Sequence, residues 1–148
     1  MIILDTNVIS EVAKPNSSPS VLAWLDRQAE DALYLTTVTI AEISARVHKL
    51  DAGKRRDGLE RRLKDTVDLF SGRLFPFDLG ALLLFGDVLA VARRRGCAIG
   101  FQDGLIAAIA IHRSAAVATR DVSPFEAADV EVINPWEANA ETGAIGGR

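Results

Sequence analysis

The stretch Ile2-Ile3-Leu4-Asp5-Thr6-Asn7 places an acidic residue directly after a short apolar run near the start of the chain. Apolar residues bounded by turn-forming residues predict a buried strand from Ile2 to Leu4, followed by a short helix from Val8 to Ala13. Asp5 therefore lies at the carboxyl end of a strand. Open α/β sheets bind their ligands at this edge.

Three more acids occupy comparable positions farther along the chain. Glu42 follows Thr-Ile-Ala, Asp103 opens the apolar helix in Phe-Gln-Asp-Gly-Leu-Ile, and Asp121 follows Ala-Val-Ala-Thr-Arg. Residues at the ends of parallel strands can meet in one crevice, so we expect these four carboxylates to converge. Two carboxylates about 4 Å apart repel by about 4 kcal/mol at an effective dielectric of 20, so the cluster requires a cation or raised pKa values.

Each acid also has a simpler structural explanation. Asp5 could cap the helix that follows it, and Asp121 could be a turn residue. Glu42 lies three residues after Thr39, which is the spacing of a capping box. Asp103 would interact favourably with the dipole of the helix it opens. The occurrence of all four at element ends of one sheet favours the metal cluster, and hard oxygen ligands select Mg²⁺ or Mn²⁺.

Zinc chemistry and disulfide chemistry are both poorly supported. The two histidines, His48 and His112, lack the spacing of a zinc motif. The single cysteine, Cys97, excludes an internal disulfide and fits a reducing cytoplasm. We therefore expect a cytoplasmic protein whose metal ligands are oxygen atoms.

Alternating strands and helices predict a three-layer α/β/α sandwich with a mostly parallel central sheet. The predicted strands are Ile2 to Leu4, Leu33 to Thr36, Leu74 to Phe77, Ala116 to Thr119 and Val130 to Ile133. Further helices are predicted from Pro19 to Ala29, Thr39 to Lys49, Asp51 to Phe70, Leu79 to Arg95 and Gln102 to Arg113. The third strand should lie at an edge, because Pro76 cannot donate a ladder hydrogen bond.

Length and composition place limits on the kind of protein. The chain has 148 residues, which fits one domain. We expect this domain to cover residues 1–136 and to be followed by a polar, mobile tail over residues 137–148. The residues before Asp5 leave no room for the basic and apolar regions of a signal peptide, and no apolar run is long enough for a membrane span. We therefore expect neither secretion nor a membrane partner. The net charge of −3 at first argues against a nucleic-acid partner, because phosphate contacts require Lys and Arg. Without the four clustered acids the net charge is no longer negative, so overall charge does not exclude such a partner.

Five segments together resemble the PIN-domain family, and in particular the VapC-type toxins of bacterial toxin-antitoxin pairs, including the FitB-like branch. The resemblance covers residues 1–136. Its carriers are Ile3-Leu4-Asp5-Thr6-Asn7, Thr39-Ile40-Ala41-Glu42-Ile43, Asp103-Gly104-Leu105-Ile106-Ala107-Ala108, Ala118-Thr119-Arg120-Asp121 and Val132-Ile133-Asn134-Pro135-Trp136. One departure is Gly104, which stands where the family usually has alanine and should loosen the start of its helix.

The resemblance implies a Mg²⁺- or Mn²⁺-dependent endoribonuclease that a cognate antitoxin holds inactive. Four residues match the family's catalytic and metal-binding acids, and two hydroxyl residues support them: Asp5, Glu42, Asp103 and Asp121, with Thr6 and Thr119. We expect Asp5 and Asp103 to hold the principal ion directly. Glu42 and Asp121 would act through water or help to recruit a second ion.

The implied assembly is a homodimer that also binds antitoxin. Apolar residues of the early helices, including Val21, Leu25 and Ile43, exceed what one core is expected to bury. Basic residues between Lys54 and Lys64, or from Arg93 to Arg95, could guide RNA, although such runs are usually solvated helix faces.

Two other classes of function remain open from the residues alone. A phosphoryl-transfer hydrolase of the haloacid-dehalogenase type also begins with an apolar strand and an aspartate. That class requires a second aspartate two residues later, where this chain has Asn7. A non-catalytic binding module with the same fold would need the core but not the four acids.

Overall fold

A parallel five-stranded sheet forms the centre of residues 1–138, the part of the chain that the computed structural model describes. The strands are β1 (Ile2–Leu4), β2 (Leu33–Thr36), β3 (Leu74–Phe75), β4 (Ala116–Ala118) and β5 (Val132–Ile133). Their order is β3-β2-β1-β4-β5, and all neighbours are parallel. The winding direction reverses at β1, so the carboxyl end of β1 is a topological switch point, where such sheets bind ligands.

Helices connect the strands and cover the sheet. In residues 1–138 they are α1 (Thr6–Val12), α2 (Pro19–Asp26), α3 (Thr37–His48), α4 (Lys54–Leu69), α5 (Leu79–Arg94), α6 (Phe101–Arg113) and α7 (Val122–Ala127), with a 3₁₀ turn at Glu30–Ala32. The first-turn proline of α2 and the positive φ of Gly96 after α5 mark helix boundaries that the sequence predicts.

The two faces of the sheet bury separate apolar clusters. Successive strand residues point to opposite faces: Ile3 packs with α5, α6 and α7, whereas Leu4 packs with α1 and α2. The first cluster includes the fully buried Ile106 and Phe125, and the second includes Val21. This arrangement confirms the predicted three-layer sandwich. The expectation of surplus apolar surface at Val21 is wrong, because the core of one chain buries this side chain completely.

Several predicted boundaries shift. β4 ends at Ala118 and β5 begins at Val132. The Thr119 N–H still donates to Ile133 O at 2.9 Å, whereas the Val130 N–H donates to Phe125 O in α7 at 3.0 Å. β3 is an edge strand, as predicted, and ends before Pro76. The sequence analysis did not predict α7, a six-residue helix with proline in its first turn. Most of the predicted tail, residues 137–148, lies outside the described residues.

The pairing of α5 with α6 depends on Gly104. This residue is buried on α6, and an added Cβ would lie 3.0 Å from Phe85 Cε2 and 3.1 Å from Leu89 Cδ2. Glycine here allows the two helices to approach closely, so its role is packing at the α5–α6 contact. In residues 1–138, no helix has both the length and the apolar character that a membrane crossing requires.

Candidate active site

Asp5 lies at the switch point, between β1 and α1. Its backbone N–H donates to Ala118 O at 3.0 Å, which continues the pairing of β1 with β4 past the last strand residue. Its Oδ1 accepts from the Thr6 N–H at 2.8 Å, so Asp5 is the N-cap of α1. The capping explanation is therefore correct. It uses only one carboxylate oxygen, and the side chain is nevertheless buried, with 5% of its surface exposed.

Thr119 organises the other side of Asp5. Its hydroxyl donates to Asp5 Oδ2 at 2.8 Å and accepts from Asn7 Nδ2 at 2.9 Å and from the Asp121 N–H at 3.1 Å. One donated and two accepted bonds satisfy a hydroxyl group completely, and Thr119 is fully buried. The hydroxyl therefore ties the end of β1 to the start of α7 and fixes the carboxylate of Asp5.

Glu42 joins the same network from α3. Thr6 Oγ1 donates to Glu42 Oε2 at 2.6 Å, and Arg46 Nη2 donates to Glu42 Oε1 at 3.0 Å. The capping-box explanation of Glu42 is wrong. Thr36 is the N-cap of α3, and its hydroxyl accepts from the Thr39 N–H at 3.0 Å, so the helix begins before Thr39.

Asp103 and Asp121 complete the cluster from the starts of two helices. Asp103 lies in the first turn of α6, and Asp121 occupies the N-cap position of α7 without a side-chain capping bond. Burial, as the largest cause, and then the charges of Asp5, Asp121 and Glu42 together raise the pKa of Asp103 to about 6. The charges of all three other acids therefore reach Asp103.

Burial also raises the pKa of Asp5. The hydrogen bonds from Thr119 and from the Thr6 N–H oppose this rise, while the charges of Glu42 and Asp121 add to it. Negative charge at the carboxyl end of β1 is thus only partly compensated by hydrogen bonds. A protein that buries acids in this way is stabilised when protons or a cation bind at the same place.

A model of the PIN domain matches residues 2–131 of the chain. The chain belongs to the PIN-domain family. It is 47% identical over 138 residues to the VapC ribonuclease Y4jK of Sinorhizobium fredii, covering 93% of this chain and 99% of that protein. It is 43% identical to the toxin FitB of Neisseria gonorrhoeae, covering 92% and 99%. It is similar to the crystal structure of FitAcB from Neisseria gonorrhoeae, with a TM-score of 0.86 and 43% identity over 92% of this chain and 99% of that one.

The donor set of this PIN domain suits a hard cation. The four acids offer only oxygen atoms, which are the ligands that Mg²⁺ and Mn²⁺ prefer. His48 lies near Glu60 and His112 near Asp78, so neither histidine belongs to the cluster. Within residues 1–138, no three His, Cys, Asp or Glu side chains are arranged to hold a metal ion as they stand. The fit to the ion therefore rests on the chemistry of the donors.

Sequence reasoning missed two residues of this PIN-domain site. Asn7 uses its amide to bridge Thr119 Oγ1, Asp5 Oδ2 at 3.3 Å and the Arg120 N–H, again at 3.3 Å. The haloacid-dehalogenase alternative therefore fails here, because an amide that donates to Asp5 replaces the second acid of that class. Arg46 was also missed, although its spacing of four residues from Glu42 is that of a helical ion pair.

Proposed function

We propose that this chain is the toxin of a toxin-antitoxin pair and a metal-dependent endoribonuclease. The observation that carries the proposal is the set of hydrogen bonds by which Thr6 and Thr119 join Asp5, Glu42 and the Asp121 N–H. The charges of these three acids also raise the pKa of Asp103. Its relatives support the same conclusion, since two of them are called a VapC ribonuclease and the toxin FitB. We place the chemistry at Asp5, Glu42, Asp103 and Asp121, in the cytoplasm.

Asp5 and Asp103 are the acids that would hold Mg²⁺ or Mn²⁺ directly, with Glu42 and Asp121 acting through water or on a second ion. When bound, such an ion supplies Lewis-acid activation of water and neutralises charge on a phosphate. No side-chain nucleophile is required. Every other task falls to residues of the chain, which orient the acids and keep them in one crevice.

Thr6 and Thr119 are supporting residues in this scheme. Thr119 fixes Asp5 Oδ2 while the Thr6 N–H fixes Oδ1, so the carboxylate plane of Asp5 cannot rotate freely. The Thr6 hydroxyl holds Glu42 Oε2 and thereby links α1 to α3. Held side chains lose less freedom when they bind a ligand, so these bonds preorganise the site.

The basic run on α4 contributes less to RNA binding than its charge suggests. Arg56 pairs with Glu60 at 2.9 Å, Lys64 lies 3.7 Å from Asp68, and Arg62 donates to Ala13 O at 3.0 Å. Much of this charge is therefore engaged within the molecule. These contacts favour the solvated-face explanation of the Lys54 to Lys64 run.

A groove beside α1, α2 and α4 suits the antitoxin as partner. Its volume is about 760 Å³, and its walls are mostly apolar, including Ile9, Leu25, Leu69 and Phe70. The solved complexes similar to this chain include FitAB bound to a DNA fragment, at 42% identity. We propose that an apolar segment of a cognate antitoxin lies in this groove.

We also propose a homodimer, which light scattering of the purified complex would test.

The test of the enzymatic proposal is cleavage of single-stranded RNA by the purified chain without antitoxin. We expect cleavage with Mg²⁺ or Mn²⁺, none in EDTA, and none with Asp103→Asn. Asp87→Asn is the matched control, because Asp87 is exposed on α5. Cleavage that persists equally in EDTA and in Asp103→Asn would refute the proposal. Calorimetry that detects no binding of Mn²⁺ would favour a non-catalytic binding module instead.

A further inference from the structure

Arg46 is a cation that the structure pairs with the carboxylate cluster. Its guanidinium donates to Glu42 Oε1 at 3.0 Å from one turn farther along α3. Thr6 Oγ1 holds the other oxygen, Oε2, at 2.6 Å. Both oxygens of Glu42 therefore have a partner from the chain itself, one neutral and one positively charged.

The pair joins a mostly buried side chain to a mostly exposed one. The side chain of Glu42 is only 21% exposed, whereas that of Arg46 is 58% exposed. A long and largely solvated guanidinium can leave its partner with little loss of packing. Glu42, in contrast, remains attached to Thr6 when Arg46 departs.

A divalent cation at Glu42 would meet the charge of Arg46. A divalent cation and a guanidinium both bind through carboxylate oxygens, and Arg46 Nη2 already occupies Glu42 Oε1 at 3.0 Å while Thr6 Oγ1 occupies Oε2 at 2.6 Å. The metal and Arg46 therefore compete for one carboxylate.

We propose that Arg46 is a positioning residue that serves as the resident counter-ion of Glu42. It holds Glu42 among the other acids until a divalent cation takes its place, and it thereby sets the metal concentration at which the site fills. This inference rests on the proposed function, since it assumes that the cluster binds the ion.

The simpler explanation is an ordinary ion pair between residues four apart on an exposed helix surface, which stabilises α3 and does nothing else. The chain provides a matched control for this explanation. Arg56 and Glu60 form a pair with the same spacing on α4, at 2.9 Å, and neither belongs to the cluster. Removing Arg56 therefore tests the loss of a helical ion pair alone.

The decisive measurement is calorimetric titration of the full chain with Mn²⁺. We expect Arg46→Gln to bind Mn²⁺ about three- to fivefold more tightly, which is the upper part of the range that exposed ion pairs contribute. Arg56→Gln should bind as wild type does. In a Glu42→Gln background, Arg46→Gln should have no effect, which completes a double-mutant cycle. The Mn²⁺ concentration for half-maximal RNA cleavage should fall by the same factor in Arg46→Gln.

Four outcomes would overturn the inference. Equal Mn²⁺ affinity in Arg46→Gln means that no competition exists, and weaker affinity means that Arg46 assists the metal. The same gain in Arg56→Gln, or a gain that survives in Glu42→Gln, means that the effect does not act through Glu42. Circular dichroism confirms folding, and Arg46→Lys, which keeps the charge, should bind Mn²⁺ close to the wild-type level. A wild-type chain that binds no Mn²⁺ refutes the proposed function itself.

Discussion

Replacing Asp103 by asparagine should stabilise the protein in EDTA. Burial and three neighbouring acids raise the pKa of Asp103 from 3.8 to about 6 in the folded protein. The folded state therefore binds this proton more tightly than the unfolded chain does. Stability falls as pH rises from about 4 to about 6, and above this range the loss is complete. The Asp103→Asn variant carries no charge at this position, so its stability does not fall with pH for this reason.

The size of the gain follows from the same shift. A rise from 3.8 to about 6 corresponds to about 3 kcal/mol, at about 1.4 kcal/mol per pKa unit. Asp103 is only partly buried, so solvent screening reduces this figure to about 1.5 kcal/mol. Loss of an acid from the first turn of α6 offsets about 0.5 kcal/mol through the helix dipole. The net gain is about 1 kcal/mol near pH 7.5, or about 2–4 °C in Tm.

Urea denaturation in EDTA measures this gain. We expect the charge-dependent part of the effect near pH 4.5 to be about a third of its value near pH 7.5. Asp87→Asn, at an exposed position on α5, should stay within about 0.5 kcal/mol of wild type at both pH values. Added Mn²⁺ should stabilise wild type more than Asp103→Asn, because a ligand stabilises the state that binds it. An Asp103→Asn variant that is less stable than wild type, with no pH dependence, would refute the electrostatic reasoning.

Three other substitutions test separate parts of the structure. Thr119→Val removes a buried hydroxyl that donates to Asp5, so kcat for RNA cleavage should fall at least about tenfold. Thr119→Ser should restore most of the rate. Full activity of the valine variant would show that this bond does not position Asp5. Leu69→Lys places a charge in the apolar groove and should weaken antitoxin binding at least about tenfold in a pull-down titration, without loss of RNA cleavage. The control is Ile111→Lys, which lies outside the groove on α6. Equal antitoxin binding by both variants would place the antitoxin elsewhere. Gly104→Ala crowds α5 and should lower the free energy of unfolding by about 1–2 kcal/mol. Gly58→Ala on α4 has open space and should raise the free energy of unfolding by about 0.5–1 kcal/mol. Thermal denaturation that ranks the two variants in the opposite order would contradict the close packing of α5 against α6.

The sequence predicts the framework of this fold because its signals are local. Ile2 to Leu4 and Leu33 to Thr36 are apolar runs bounded by turn-forming residues, and both strands occur with the predicted bounds. α5 and α6 keep helical spacing over many residues, so their ends shift by only one residue. α7 has six residues and a proline in its first turn. A pattern this short offers too few repeats to distinguish a helix from a turn.

The candidate site was harder to predict because its hydrogen bonds connect residues that are distant in sequence. Asn7 and Thr119 are separated by 112 positions, and no local pattern shows that an amide meets a hydroxyl. For Glu42 the local pattern was misleading. Thr39 and Glu42 have capping-box spacing, but Thr36 provides the cap three residues earlier. Two threonines with equivalent capping chemistry compete here, and only the end of β2 decides between them.

The position of the site and its energetic cost have one cause. β1 is the central strand, so the residue after it is enclosed by β2 and β4 and by the helices on both faces. An acid at this position loses hydration, and burial is accordingly the largest cause of the raised pKa of Asp5. A carboxylate left with poorly compensated charge destabilises the folded chain. The same uncompensated charge attracts a divalent cation, so the free energy that the cluster costs in EDTA reappears as affinity for the metal. Stability in EDTA and metal affinity should therefore change in opposite directions when an acid of this cluster is removed.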